Sequence, residues 1–313
     1  MQLENNNSTL GQPGLAECFA RIARCPAAPQ APPGASPVPI FDLHSHSTAS
    51  DGVLAPRELV ARAAARGVDV LALTDHDEVS GLADALDAAR EHRVKLICGT
   101  EISASFDRRT VHVVGLNIDP GAPALNQGLA WLRSARDDRA RRIAAGLAEA
   151  GIADALKGAC AFVTNPSLVS RTHFARDLVQ RGLAKDMQAV FKRYLAPGKP
   201  GYVAQTWATL EQAVEWIHAA GGLAVLAHPG RHKTGPTGMR DLFEAFHSAG
   251  GDGVEVLSPS HTAAQVSDFA ALARVFDLAA SQGSDFHSPE ESTFDLGQLP
   301  ALPSGTRPVW ADW

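Results

Sequence analysis

From Pro39 onward, short apolar runs of strand length alternate with stretches of helical period, and this alternation is what most restricts the folds open to the chain. Val68–Leu73 and Val94–Cys98 read as buried strands, and Val111–Leu116 as a further one. Pro56–Arg66 and Val79–His92 carry helical spacing, the first with proline in its opening turn. Strands separated by helices join through right-handed crossovers, which predicts a mostly parallel sheet. The rhythm lapses between about Pro123 and Pro200, where Leu125–Glu149, Arg171–Arg181 and Asp186–Leu195 have helical period without clear strands. It resumes with helix Leu210–Ala220, strand Leu223–Ala227, helix Met239–Ala249, strand Gly253–Leu257, helix Ala263–Phe276 and strand Leu278–Ser281. About seven strands are therefore expected, arranged as an α/β, distorted TIM-like (β/α)7 barrel rather than an open sheet. The expected division is a barrel from 39–122 and 201–313, with a small helical insertion at 123–200 as a cap over the substrate.

Composition narrows the class. The chain has 313 residues with 45% hydrophobic content, enough for one large domain with an insertion. A net charge of −6 supplies no global positive field, which argues against a duplex DNA binder but leaves room for a small phosphorylated substrate. Cys18, Cys25, Cys98 and Cys160 form no CxxC pair, as expected of ordinary thiols in a reducing cytoplasm. No run reaches the roughly 18 to 20 apolar residues of a membrane span. Residues 1–38 are rich in Asn, Pro and Ala and lack the order of a signal peptide, so they are expected to form a disordered extension.

The chemistry-bearing residues fall at one kind of place. His44 and His46 leave the strand Pro39–Leu43, and residues two apart on a strand face the same side. Taken alone, such a pair could be two solvent-facing loop histidines. Asp75 and His76 follow the second strand, Glu101 the third, and His112 lies at or within the fourth. His228 and His261 follow the fifth and sixth, and Asp285 and His287 the last. The C-terminal ends of barrel strands converge on one mouth, so residues placed there on strand after strand build a single polar cluster. One tetrahedral ion takes four ligands, and this set is large enough for more than one metal.

The motifs Asp42-Leu43-His44-Ser45-His46, Ser50-Asp51-Gly52, Thr74-Asp75-His76-Asp77, Gly99-Thr100-Glu101, Ala227-His228-Pro229 and Ser284-Asp285-Phe286-His287, with the His112 strand, resemble the PHP (polymerase and histidinol phosphatase) family. Together they span about Pro39 to the C-terminus. Within that family the chain is most similar to bacterial phosphoesterases that remove the 3′-phosphate of nucleoside 3′,5′-bisphosphates, and to relatives that trim short RNA from its 5′ end. The resemblance implies a PHP-type barrel holding three ions: His44, His46 and Asp285 at the first, Glu101 bridging to a second with His112 and His228, and Asp51, His76 and His287 at the third. It also implies catalytic roles for Asp51, His76 and Glu101. Manganese is the expected cofactor, with zinc or iron as alternatives. Asp75 and Asp77 are expected to orient histidines or cap the next helix.

A second phosphate needs fixed cations apart from the metals. Ser170 is a candidate N-cap ahead of Arg171, Thr172 and His173, which places a guanidinium beside helix N-terminal N–H groups. Lys199, in a Gly/Pro-rich turn, Arg231 and His261 complete the expected substrate contacts. Arg133, Arg136, Arg139, Arg141 and Arg142, interleaved with Asp137 and Asp138, read instead as a solvated helix face. Aromatic content is only 6%, so a substrate of one or a few nucleotides, such as adenosine 3′,5′-bisphosphate or a short RNA end, fits better than a long strand. The protein is expected to act as a monomeric phosphoric-ester hydrolase. The rival readings are a histidinol-phosphate phosphatase and a non-catalytic metal-binding accessory module.

Overall fold

Seven strands pair in their order along the chain: β1 (Phe41–Asp42), β2 (Val70–Leu73), β3 (Lys95–Phe106), β4 (Arg109–Leu116), β5 (Leu223–Leu226), β6 (Gly253–Leu257) and β7 (Ala279–Gln282). The computed structural model describes residues 39–232 and 235–313, so the extension expected at 1–38 lies outside the described residues. Helices α1 (Pro56–Ala65), α2 (Leu82–His92), α7 (Leu210–Ala219), α8 (Gly235–Ser248) and α9 (Ala263–Val275) link or flank the strands. Between β4 and α7 come α3 (Pro123–Glu149), α4 (Ala155–Cys160), α5 (Arg171–Gln180) and α6 (Met187–Val190), the last running into a π-helical turn at Phe191–Leu195.

The sheet closes on itself after its first and last strands. Leu43 N–H donates to Gln282 O at 3.1 Å, Asp285 N–H to His44 O at 2.9 Å, and His46 N–H to Phe286 O at 2.9 Å. The side chain of Asp42 reinforces this seam by accepting from Ser284 N–H at 2.8 Å and Gly297 N–H at 2.9 Å. Gly283 is required at this seam, because a Cβ there would collide with His44. The barrel is an α/β fold of seven strands, and the closure brings residue 44 beside residue 285 although they are far apart in sequence.

One departure from a parallel sheet shapes the site. β4 runs antiparallel to both β3 and β5. Asp107 and Arg108, both with positive φ (45° and 59°), make the two-residue hairpin that reverses the chain. β3 also runs on well past Cys98, so Glu101 lies inside a strand rather than in the loop expected after it. Reversal puts the N-terminal half of β4, and with it His112, at the end where the other strands finish.

Alternation along each strand sorts the core. Val70 and Ala72 pack with Leu43, Ile97, Val114, Val225 and Ala279 in one apolar cluster, while Leu71 and Leu73 join the larger cluster beneath the helices. Trp310 stacks on Phe41 with ring centroids 4.3 Å apart, and Val309 N–H bonds to Ala280 O, so the C-terminal segment packs against the first and last strands. A separate apolar cluster holds the inserted helices together, with Leu147, Phe174, Leu178, Val190 and Leu195 fully buried in it. Truncating a buried Phe such as Phe174 to Ala would cost about 3–5 kcal/mol.

Candidate metal centre and cleft

Glu101 is the centre of the polar cluster. Its Oε1 lies 2.8 Å from His112 Nδ1 and 2.9 Å from His228 Nε2. Its Oε2 lies 3.2 Å from both His44 Nε2 and His46 Nε2, and 3.0 Å from His76 Nδ1. Asp285 Oδ1 faces the same histidine pair, 3.6 Å from His44 Nε2 and 3.3 Å from His46 Nε2. Asp51 Oδ1 lies 3.4 Å from His287 Nε2 and 3.9 Å from His76 Nε2. All nine candidate ligands thus meet at one mouth. Four overlapping groups have ligand atoms within 4.8 Å of one another: His44/His46/Asp285, His46/Asp51/His76/His287, His44/Glu101/His228 and His76/Glu101/His112. His76 stands between groups, one ring nitrogen facing Glu101 and the other Asp51.

The donor set fits divalent ions. Asp51 Oδ1, Glu101 Oε2 and Asp285 Oδ1 are buried without a hydrogen-bond donor, which is costly for a carboxylate oxygen unless a cation completes it. Burial would raise all three acids, yet their pKa values lie well below the ordinary range. Neighbouring histidines outweigh burial at Asp51 and Glu101, and at Asp285 Arg231 leads that effect. Burial would lower His46, but the neighbouring carboxylates of Asp285 and Glu101 lift it to about 9. For His44 the charges of Glu255, Glu101 and Asp285 likewise overcome burial and hold it well above 6.5. His228 goes the other way, held well below 6.5 by burial and by Arg231.

A supporting layer orients these groups. Glu255 of β6 accepts from His44 Nδ1 at 2.6 Å and from His228 N–H at 2.6 Å, directing His44 Nε2 into the cluster. Nothing but its place as an acid inside an apolar strand marks Glu255 in the sequence, and sequence reasoning missed it. His287 Nδ1 donates to Asp285 O at 2.9 Å. Ser170 Oγ donates to Asp51 Oδ2 at 3.0 Å and accepts from Thr172 N–H at 3.1 Å, so the cap of α5 also steadies Asp51. Asp75 accepts from Ser47 N–H, Ser47 Oγ and Ser50 Oγ, fixing the loop that carries Asp51. Asp77 accepts from Ser103 N–H and Arg136. These bonds go to serines and an arginine rather than to histidines, and the next helix, α2, begins after Gly81 without a side-chain cap, so neither role expected for the two acids is found. Asp77, His228 and Asp285 all have positive φ (49°, 27° and 49°), a conformation that non-glycine residues adopt at a cost.

The cleft has two lobes that share Thr172, Phe191, Arg231 and His287. One, of about 180 Å³, is lined by Asp51, His76 and His112 on one side and by Arg136, Arg139 and Arg171 on the other. The expected solvated helix face is therefore corrected for Arg136 and Arg139, which are buried. Both continue the apolar stripe of α3, Leu129, Leu132, Ile143 and Leu147, which is the signal that could have revealed them. Arg136 bonds to Asp77 at 2.6 Å and to Ser103 Oγ at 2.8 Å, and both Arg136 and Arg139 lie over the Trp207 ring at 5.3 Å. Arg133 is half-buried and donates to Asp77 O at 2.9 Å. Arg141 and Arg142 do pair with Asp137 and Asp138 on the exposed side. Arg139 and Arg171 have no acidic partner among the described residues. Burial, with the charges of Arg171 and Arg136, pushes Arg139 down to about 9, and Arg171 is lowered by burial. Like charges of this kind, Arg139 buried and Arg171 half-buried, favour an anion between them.

The remaining candidates fall in different places. Arg231 pairs with Asp285 and lines both lobes. His173 is buried, and its Nδ1 accepts from Ser170 N–H at 3.0 Å. His261 spends both ring nitrogens on the barrel, bonding Val256 O and Gly230 N–H, so it braces the Pro229–Arg231 turn. Lys199 is exposed and lines neither lobe.

Residues 42–120 match the model of the PHP domain family. The chain is 51% identical over 272 residues to a 3′,5′-nucleoside bisphosphate phosphatase of Chromobacterium violaceum, an alignment covering 87% of this chain and 95% of that protein. It is 44% identical over 270 residues to a 5′-3′ exoribonuclease of Haemophilus influenzae, covering 86% of this chain and 97% of that one. A solved structure of an amidohydrolase from Chromobacterium violaceum, with bound sulfate and no metal, is 50% identical and superposes with a TM-score of 0.83 over 87% of this chain and 94% of its own.

Proposed function

We infer, from the premise that this chain belongs to the PHP domain family, that it is a metal-dependent phosphoric-ester hydrolase acting on nucleoside 3′,5′-bisphosphates. The same reading extends to short 5′-phosphorylated oligoribonucleotides, cleaved from the 5′ end. One observation carries it: a carboxylate–histidine cluster and the guanidinium groups of Arg136, Arg139, Arg171 and Arg231 line the same small lobe. A substrate with two phosphates separated by one nucleoside matches both at once.

We propose three ions per chain, with manganese as the resident metal, held by His44, His46 and Asp285, by His112 and His228, and by Asp51, His76 and His287, with Glu101 between the first two sets. When bound, such ions would neutralise phosphate oxygens and lower the pKa of a coordinated water. The chain's own groups do the remaining work. Glu255 holds His44 with Nε2 facing the cluster, and Ser170 holds Asp51. Arg139 and Arg171 bind the phosphate that is not cleaved, while Arg136, tied to Asp77, keeps the pair in place. The inserted helices 123–200 then act as a substrate cap, supplying Ser170, Arg171 and Thr172 to a site whose cluster comes from the barrel.

A histidinol phosphate carries a cationic amine, which the guanidinium groups of this lobe would repel. An accessory module without activity has no use for a complete ligand set joined to an anion site. The absence of any described helix long and apolar enough to cross a membrane, together with the scattered thiols, is compatible with our proposal of a cytoplasmic monomer. The test is phosphate release from adenosine 3′,5′-bisphosphate, 5′-phosphorylated dinucleotides and histidinol phosphate, with manganese supplied. Preferential hydrolysis of histidinol phosphate, or none of any ester, would overturn the reading.

A further inference from the structure

The bisphosphate reading leaves the second lobe of the cleft without an occupant beyond the edge of the cluster. It has a volume of about 280 Å³ and is lined by Met187, Phe191, Pro259, Ser284, Glu291 and Thr293, among others, and it meets the cluster at Asp285 and His287. Its chemistry differs from that of the arginine lobe. Arg231, shared by both lobes and paired with Asp285, is its one guanidinium among the described residues. Glu291 is engaged by Arg176 at 2.9 and 2.7 Å, and Ser292 Oγ accepts from His287 N–H at 2.9 Å and Ser288 N–H at 3.2 Å. Such a lobe does not suit a phosphate dianion. The apolar faces of Met187, Phe191 and Pro259, with hydroxyls beside them, suit a neutral group that has both a flat face and polar edges.

We propose that this lobe is the subsite for the second nucleoside of a 5′-phosphorylated oligoribonucleotide, an assignment that rests on the phosphoesterase reading above. The covalent order of the substrate leads there. With the 5′-phosphate among Arg139 and Arg171 and the next phosphorus at the cluster, the first nucleoside spans the arginine lobe. A bisphosphate ends at that phosphorus. In an oligonucleotide the same phosphorus carries O5′ of the second nucleoside, which must leave the cluster by the side not already filled. The lobe opening past Asp285 and His287 lies on that side. At about 280 Å³ it is the roomier of the two lobes, with space for the second nucleoside.

The reaction balances identically for both substrates. A water oxygen bonds to phosphorus, the P–O3′ bond breaks, and O3′ takes a proton to leave as the hydroxyl of a nucleoside 5′-phosphate. The other product is inorganic phosphate from the bisphosphate, and a 5′-phosphorylated remainder from the oligonucleotide. The second lobe then decides how well a diester is accepted, and the arginine lobe serves both.

The experiment compares kcat/KM for adenosine 3′,5′-bisphosphate and for 5′-phosphorylated diadenosine (pApA) in the manganese-loaded protein and two variants. Thr293→Trp fills the lobe from an exposed position where folding is insensitive to size, and Met187→Ala removes an apolar face. Each should lower the ratio of dinucleotide to bisphosphate activity at least tenfold, with Thr293→Trp acting mainly through KM. An unchanged ratio in both variants would overturn the subsite, as would bisphosphate turnover without any cleavage of the dinucleotide by the unmodified protein. Loss of activity on both substrates in the unmodified protein would instead defeat the phosphoesterase reading itself.

Discussion

Glu255 accepts the Nδ1 proton of His44 at 2.6 Å, joining a carboxylate in the middle of β6 to an imidazole at the end of β1. The other oxygen of the same carboxylate holds the His228 backbone at 2.6 Å. One buried side chain therefore sets the direction of two candidate ligands from distant parts of the chain.

Replacing that carboxylate tests how far the ligands depend on it. A carboxamide in its place could accept only one of the two bonds and would present an N–H group to the other donor. Glu255→Gln is expected to weaken metal binding roughly 10–100-fold. Calorimetric titration with manganese checks this directly, and excess metal should restore part of the activity.

His76→Ala and Asp285→Ala each remove a candidate ligand from the mouth without emptying the apolar core. Turnover should disappear in both, while the unfolding transition stays cooperative and metal analysis finds fewer ions per chain. Unmodified protein should hold more than one. Full activity in either variant would remove the metal-cluster argument.

Arg139 is expected to trade stability for binding. It is buried, lacks an acidic partner among the described residues and has its Nε without an acceptor. Arg139→Met should raise the stability of the ligand-free protein by on the order of 1 kcal/mol. The same change should raise KM for adenosine 3′,5′-bisphosphate more than tenfold, and for a nucleoside 3′-monophosphate much less. Equal effects on both substrates would defeat the assignment of the uncleaved phosphate to this lobe.

His173 gives a pH dependence of definite sign. Burial pushes its pKa down to about 4, with Arg176, Arg136 and His287 adding to that and Asp51 opposing it. Between pH 6.5 and about 4 the unfolded chain binds a proton that the folded protein refuses, so stability falls as pH falls through this window. The full effect is on the order of 3 kcal/mol below the window. Protonation would also remove the acceptor for Ser170 N–H, the bond that ties His173 to the cap of α5. His173→Gln should flatten the acid limb of a thermal-unfolding profile; an unchanged limb would place the proton elsewhere.

How much was readable in advance differs from element to element. The strands and most helices were legible because their apolar periods are local. His44, His46, Asp285 and His287 were legible because each ends a strand, where barrel geometry makes residues converge. The reversal of β4 was not, since it depends on Asp107 and Arg108 adopting positive φ, which neither residue type demands. Arg136 and Arg139 were misread because charge spacing along α3 suggested solvent pairs, while the stripe they share with Leu132 and Ile143 marks the inward face.

The sequence by itself determined the barrel, its helical insertion and the set of metal-type side chains, because strand period, helix period and residue type are local properties. Only the tertiary structure decided which groups orient those side chains, how Glu101 divides its two oxygens among five histidines, and that two lobes of opposite chemistry meet at the cluster. Those are relations between segments far apart along the chain. They exist once closure of the sheet brings the ends of the strands together, and no local pattern encodes them.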